Sequence, residues 1–384
     1  MVRLPAGEHR HVVRFLEHDE RYFALKELPE RLARREFANL ERLRDEGLPT
    51  VTLVGIATDR ISDDGEPLEA VLMTRHLSYS LPYRTVFTDL SSATQRTKLV
   101  DALALLLVRL HIAGFFWGDC SLNNVLFRRD AGALRAYVVD TETSEFHESL
   151  SPGQRQHDLN IAADNIGGGL YDLQAEGRLS TTIEPVDIVI ALLDRYEQLY
   201  DDLTGAEDVA ITELWRIQAR LQRLNELGFD AEEYELHEEG GFARFQPTVV
   251  EEGYHRRSLD RLTGIFAHEN QARRLLGALH GYGAWLAQTE GEPLPEAVIA
   301  YRWLAERYRP ALDRIPIELR GRLEDPEIYH EVLEHNWYLS EQAGEEVQLF
   351  EAVDSYTADV LAKRTDERDV LPAGSTLGDQ VDSP

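Results

Sequence analysis

Apolar and polar positions alternate with period two at the start of the chain and with a helical period over most of the rest. Residues 11–16 and 22–28 read as two strands around the charged turn Glu17-His18-Asp19-Glu20-Arg21, and Pro29 stops the second. Residues 31–44 carry Leu32, Phe37, Leu40 and Leu43 on one side of a helix, which Gly47 and Pro49 end. Residues 51–57 and 69–74 read as further strands, separated by a loop with Asp63, Asp64 and Gly65. The pattern up to this point predicts a small sheet with one helix.

After Leu77 helical spacing takes over. Residues 101–113 form a strongly apolar helix that Gly114 ends. Residues 125–127 and 136–139 flank the turn Asp130-Ala131-Gly132-Ala133 as a hairpin. Helices follow at 156–165, 187–203 and 211–227, the last with Leu214, Ile217, Leu221 and Leu224 on one face and Gly228 as its stop. Gly167-Gly168-Gly169 comes after a helical run and reads as a hinge or helix end. From about 206 onward the pattern predicts more helices, at 271–287, 296–309, 326–334 and 347–363, with an acidic, loop-like run at 230–239. Residues 365–384, rich in Asp, Gly, Ser and Pro, read as a disordered tail. No internal repeat is visible. The expected organisation is a first lobe at 1–77, a second at 78–205, a helical accessory domain at 206–364 and a tail at 365–384.

Charge narrows the function classes. A net charge of −29 over 384 residues argues against a nucleic-acid partner, whose phosphates need clustered Lys and Arg. The excess is uneven: residues 1–150 hold 19 Lys+Arg against 23 Asp+Glu, so most of the negative charge lies beyond them. A triphosphate can therefore approach the first part. One cysteine, Cys120, excludes an intrachain disulfide framework and fits a reducing cytoplasm. The N-terminal residues lack the apolar core of a signal peptide. The most apolar helix is interrupted by Arg109 and His111 and is too short to span a bilayer, so a cytoplasmic protein without a transmembrane segment is expected.

The chemistry concentrates in Gly118-Asp119-Cys120-Ser121-Leu122-Asn123-Asn124 and in Val138-Val139-Asp140-Thr141. An Asp, an Asn five positions on, a hairpin and a second Asp closing an apolar strand is a phosphoryl-transfer layout. Asp119 is then the base for a substrate hydroxyl, and Asn124 and Asp140 are the metal ligands. A carboxylate after a buried strand is costly unless paired or bound to a metal, and hard oxygen donors suit Mg²⁺. Lys26 lies in an apolar strand and is one of only three lysines against 37 arginines, which points to a need for a compact ammonium. Glu36, on the helix that follows, is its partner, with Glu41 second. Glu142 reads either as assisting Asp140 or, in preference, as solvated. His111 reads as structural, Cys120 has no supporting arrangement for a thiol nucleophile, and Tyr254-His255-Arg256-Arg257 reads as a surface element.

These residues resemble the protein-kinase-like superfamily, in particular its atypical branch of lipopolysaccharide core (Kdo/heptose) kinases, RIO kinases and aminoglycoside phosphotransferases. The matching pieces are Leu25-Lys26, Arg35-Glu36-Phe37, Leu110-His111-Ile112-Ala113-Gly114, Asp119 to Asn124 with Val125-Leu126, and Val139-Asp140. More narrowly, the chain is similar to an actinobacterial family that joins a lipopolysaccharide-kinase-like domain to a domain called DUF4032. The kinase resemblance covers roughly 1–205.

The resemblance implies an α+β fold with a small antiparallel-sheet lobe, a helical lobe and a mostly helical C-terminal domain. It implies ATP in the cleft with Mg²⁺ on Asn124 and Asp140, Lys26 on the α/β-phosphates supported by Glu36, and Asp119 as base. It also implies a linker near residues 73–77, including Met73 and Arg75, against the adenine. The sequence departs from protein kinases in three ways: the first hairpin turn lacks glycine, Trp117-Gly118 stands where His-Arg precedes the base, and Thr141-Glu142 follows Asp140. The expectation is an ATP- and Mg²⁺-dependent phosphotransferase acting on a hydroxyl of a sugar, glycolipid or other small molecule, its helical domain recognising the acceptor or a protein partner. The rivals are a nucleotide-binding pseudokinase scaffold and AMPylation on the same fold.

Overall fold

The alternation at the start of the chain resolves, in a computed structural model, into a four-stranded antiparallel sheet. The structure describes residues 12–19, 21–88, 93–210, 213, 215–226, 229–230, 234–239, 242–247, 251–368 and 370. The chain divides into two compact units. The first runs to Arg128 and resumes at Leu134–Glu197; the second holds Arg129–Ala133 and Gln198–Arg368.

In the first unit, β1 (Val12–His18), β2 (Arg21–Leu28), β3 (Thr52–Ala57) and β4 (Ala70–Arg75) pair in the order β1-β2-β4-β3. The charged turn is tighter than expected, with the strands extending to His18 and Arg21 and Asp19 in the left-handed region at φ 49°. His11, expected in the first strand, lies outside the described residues. Helix α1 (Glu30–Asp45) buries Ala33, Leu40 and Leu43, and also Glu36 and Asn39. Two buried polar side chains among the apolar ones mark that face as more than packing.

The helical lobe follows: β5 (Ser80–Pro82), α2 (Tyr83–Thr88), α3 (Ala93–Ile112), β6 (Phe115–Phe116), a 3-10 turn at Leu122–Asn124, β7 (Val125–Asp130), β8 (Ala133–Val138), β9 (Glu145–Phe146), α4 (Pro152–Ala175) and α5 (Pro185–Thr204). Helix α3 is buried on nearly every side over its second half, as an all-round apolar helix must be. Among the described residues no helix is long and apolar enough to cross a membrane. Strands β7 and β8 form the expected hairpin, with Ala131 and Gly132 at φ 50° and 80°, the signature of a two-residue turn matched to strand twist. Thr50 bridges to Val138, and Val138 N–H donates to Pro49 O at 3.0 Å.

Gly167-Gly168-Gly169 is not a hinge or helix end. It lies inside α4, which a Ser151–Gln154 capping box starts. A Cβ on Gly169 would stand 3.2 Å from Leu122 Cδ1, so the glycine admits the 3-10 turn against the helix.

The second unit is helical, but less uniformly than its spacing predicts. It opens with β10 (Glu207–Ala210), α6 (Trp215–Glu226), β11 (Phe229–Asp230), β12 (Tyr234–Glu239), β13 (Phe242–Pro247) and β14 (Glu251–Glu252). Strands β10, β13 and β12 form an antiparallel sheet, so much of the acidic run read as a loop is strand; residues 231–233 lie outside the described residues. Helices α7 (Tyr254–Thr263), α8 (Glu269–Glu290), α9 (Glu296–Trp303), α10 (Arg309–Asp313), α11 (Asp325–Ala343) and α12 (Leu349–Asp359) complete it, with a π turn at Leu304–Tyr308 interrupting the predicted 296–309 helix. Their core centres on Trp303, Tyr308 and Tyr329, whose ring centroids lie 4.9–5.5 Å apart. Tyr254-His255 is no plain surface run: Glu269 accepts from the N–H groups of His255 and Arg256 and caps α7.

Residues 129–133 belong to this unit's interior. Buried Asp130 accepts from Gln271 N–H at 2.8 Å, and Ala131 N–H donates to Glu327 at 2.8 Å. Arg129 forms a two-pronged pair with buried Glu367, so the expected tail begins with ordered residues; from 371 on it lies outside the described residues.

Candidate active site

Helix α1 and the segment just past β8 deliver carboxylates to Lys26 on β2. Its Nζ lies 2.9 Å from Glu36 Oε2 on α1, 2.7 Å from Asp140 Oδ2 just past β8, and 3.3 Å from Glu142 Oε2. The lysine and two of the carboxylates are largely out of water. Burial alone would lower the Lys26 pKa, but the charges of Glu36 and Asp140 and their hydrogen bonds outweigh it and raise it above the ordinary value. Burial pushes Glu36 up to about 7; Asp140 adds to that and Lys26 opposes it. One ammonium does not offset three carboxylates.

Glu142 overturns its expectation. It is buried against Lys26, not solvated, and Glu36, Asp140 and Glu142 present oxygens within 4.8 Å of one another. That set is hard-oxygen and anionic in excess, which fits Mg²⁺. The carbonyl end of the Asn124 side chain is the further candidate.

Asp119 is fixed separately. Asn124 Nδ2 donates to its main-chain O at 2.9 Å and to Oδ2 at 3.3 Å, and Asn165 Nδ2 donates to Oδ1 at 3.0 Å. Each carboxylate oxygen thus accepts from one amide, which holds the side chain in one rotamer. Asn124 O accepts from Val139 N–H at 3.1 Å, tying the loop to the strand that ends at Asp140.

Sequence reading missed the supports. Asp158, fully buried on α4, accepts from Trp117 N–H and Gly118 N–H at 2.8 Å each and lies 3.1 Å from His111 Nε2. His111 Nδ1 meets Tyr196 Oη at 2.7 Å, so its structural role extends to the loop. Asp158, Ala162, Asn165 and Gly169 stand at i, i+4, i+7 and i+11, one stripe of α4 laid against residues 117–124. A polar and small stripe beside the apolar one of Leu159, Ile166, Leu170 and Leu173 was the available signal.

Trp117 donates its indole N–H to Asp140 O at 3.0 Å. Gly118, at φ 74°, turns the chain into Asp119. On α1, Asn39 and Arg35 donate to main-chain oxygens of 141–144 and fix the segment after Asp140. Cys120 is buried and burial pushes its thiol well up, which leaves it inert.

Met73 and Arg75 lie elsewhere than expected. The register pairs Leu25 with Met73 and Phe23 with Arg75, whereas Lys26 pairs with Leu72 and Ala24 with Thr74. Alternation therefore turns the Met73 and Arg75 side chains to the face opposite Lys26. Met73 is mid-strand, and Arg75 donates to Thr52 Oγ1 at 3.4 Å. Strand β4 ends at Arg75 and β5 starts at Ser80, with residues 76–79 between them.

With this geometry in place, residues 6–162 match the model of the lipopolysaccharide kinase (Kdo/WaaP) family. Residues 198–361 match that of a domain of unknown function, DUF4032. The chain joins a Kdo/WaaP-kinase-like region to a DUF4032 region. Among solved structures it is similar to WaaP in complex with acyl carrier protein, at 20% identity and a TM-score of 0.36, over 56% of this chain and 83% of that one. No curated protein matches it. The described residues form an antiparallel-sheet lobe and a helix-rich remainder, and the Kdo/WaaP match over residues 6–162 supports a kinase-like phosphotransferase.

Proposed function

We propose that the Kdo/WaaP-like region transfers the γ-phosphoryl group of ATP to a hydroxyl of a sugar, glycolipid or other small molecule. The observation that carries this reading is Lys26 held between Glu36 and Asp140 by three separate elements. A structural lysine has no need of such a convergence. Lys26 would hold the α/β-phosphates, with Glu36 aiming it. Asp119, fixed by Asn124 and Asn165, would orient the acceptor hydroxyl and take its proton as the new O–P bond forms and ADP leaves. Mg²⁺, when bound by Asp140, Glu142 and the Asn124 carbonyl, supplies neutralisation of phosphate charge. The remaining work is positioning. The DUF4032 region would recognise the acceptor or a partner.

The test uses γ-labelled and α-labelled ATP with Mg²⁺ and a bacterial extract, beside Asp119→Asn and Asp140→Ala. The expected outcome is transfer of the γ label that both substitutions abolish. Transfer of the α label would mean AMPylation instead. Thermal stabilisation by ATP with no transfer would mean a nucleotide-binding scaffold. Absence of any ATP-dependent stabilisation or transfer would sink the nucleotide reading.

A further inference from the structure

Helix α4 holds three consecutive glycines, and packing accounts for two of them. A Cβ on Gly169 would stand 3.2 Å from Leu122 Cδ1, and one on Gly167 would stand 3.6 Å from Val189 Cγ2 on α5. Gly168 is exposed, and a Cβ there would meet nothing within 4 Å. Its backbone is ordinary helix, so no left-handed turn requires glycine either. After proline, glycine is the residue least suited to a helix interior. No contact within the described chain explains the missing side chain at 168, whereas contact with a bound molecule does.

The neighbours of Gly168 point to that molecule. Asn165, three residues earlier on the same side of α4, donates to Asp119 Oδ1 at 3.0 Å. Tyr171 comes three residues later, and a helical side chain leans back toward the preceding turn, which here holds Gly168. Asn165, Gly168 and Tyr171 therefore mark a path of about 9 Å along the helix. It leads from the carboxylate that meets the acceptor hydroxyl to an exposed aromatic ring.

Helix α5 widens the apolar end. Val189 lies at Gly167, and Tyr196 meets His111, which also meets Asp158, so α5 runs back along α4. Val186, one turn before Val189, then falls beside Tyr171, with Ile190 next to it. Tyr171, Val186 and Ile190 are 53%, 50% and 52% exposed, more than apolar side chains at a helix crossing need to be. Every charged residue over 160–175 and 185–194 is acidic: Asp164, Asp172, Asp187 and Asp194. An apolar patch among carboxylates repels an anionic lipid surface or head group and admits hydrocarbon from an uncharged molecule.

We infer that α4 seats the acceptor: the head that carries the reacting hydroxyl passes over Gly168, and hydrocarbon of the same molecule rests on Tyr171, Val186 and Ile190. The acceptor is then an uncharged amphiphile whose hydroxyl lies within about one sugar ring of its hydrocarbon. This rests on the phosphotransferase reading above and narrows its acceptor. The transfer is the same. The O–P bond forms at the acceptor hydroxyl, the bond from the γ-phosphorus to ADP breaks, and the hydroxyl proton goes to Asp119.

The test gives the full chain γ-labelled ATP, Mg²⁺ and one of three fractions of a bacterial extract: water-soluble small molecules, anionic lipids, or neutral lipids dispersed in non-ionic detergent. Label is expected in a product of the neutral lipids. Gly168→Leu is expected to slow that transfer at least about tenfold while ATP affinity, measured by calorimetry, is unchanged. Gly168→Ala should melt no lower than the parent, since alanine favours the helix, and still transfer more slowly. Ile190→Ser should raise KM for the neutral lipid several-fold and leave kcat alone. Label confined to the water-soluble or anionic fraction would overturn this inference and leave the phosphotransferase reading standing. So would transfer to neutral lipid by Gly168→Leu at the parent's rate. No transfer from ATP to any fraction would overturn the phosphotransferase reading and this inference with it.

Discussion

Lys26 is the point at which removal of a single side chain does most. Without its ammonium, Glu36, Asp140 and Glu142 face one another with only protons to relieve them. Lys26→Met should lower stability by about 3–5 kcal/mol near pH 8, the range for breaking a buried pair. At pH 5 the loss should shrink, since Glu36 already tends to hold a proton below about 7. Urea unfolding at the two pH values checks this; an equal loss at both would show that the carboxylates are not in conflict. At this scale the sequence was partly legible. Lys26 stood out because lysine is rare here, and Asp119, Asn124 and Asp140 by their spacing. Glu142 was misread because an acidic residue after Asp140 carries no sign of which way it points. Met73 and Arg75 were misplaced because strand parity depends on a register that composition does not disclose.

Among elements, α4 deserves the closest test. Asp158→Ala removes the acceptor of two main-chain N–H groups, each worth about 1–3 kcal/mol when left unmade, and should lower stability by about 2–5 kcal/mol. Asn165→Leu, which frees one oxygen of Asp119, should slow label transfer about tenfold while ATP affinity holds, the pattern of a lost transition-state contact. Equal loss in ATP binding would mean that α4 supports the cleft as a whole. The helix itself was legible only in part. Three consecutive glycines argue against a helix by propensity, yet here they sit where a close neighbour and tertiary packing overrule it. The strands of 207–252 escaped notice for a related reason. Their acidic composition suggests solvent, and only pairing with a distant strand makes them a sheet.

For the whole molecule, the second unit is built partly from residues 129–133, which lie far ahead of the rest of it in sequence. A fragment ending at residue 197 keeps these residues but loses Gln271, Glu327 and Glu367. It should melt lower than the full chain, with Asp130 left without its Gln271 partner. Equal melting would show that these bonds add nothing. The same place sets a pH dependence. Burial pushes Glu327 up from 4.5 to about 7 against the donors Ala131 and Gln271. Between those values the folded protein keeps a proton that the unfolded chain has released, so stability falls as pH rises through the window. Glu327→Gln should flatten that slope, worth about 3 kcal/mol, in unfolding measured from pH 4.5 to 7.5. The arrangement also fixes an order in time. Asp130, Ala131 and Arg129 meet partners 141, 196 and 238 residues later in the chain. A growing chain makes the hairpin long before anything exists to receive its tip. The second unit therefore closes last, around a turn that has been waiting in water, and its folding rate carries the cost of that long loop closure.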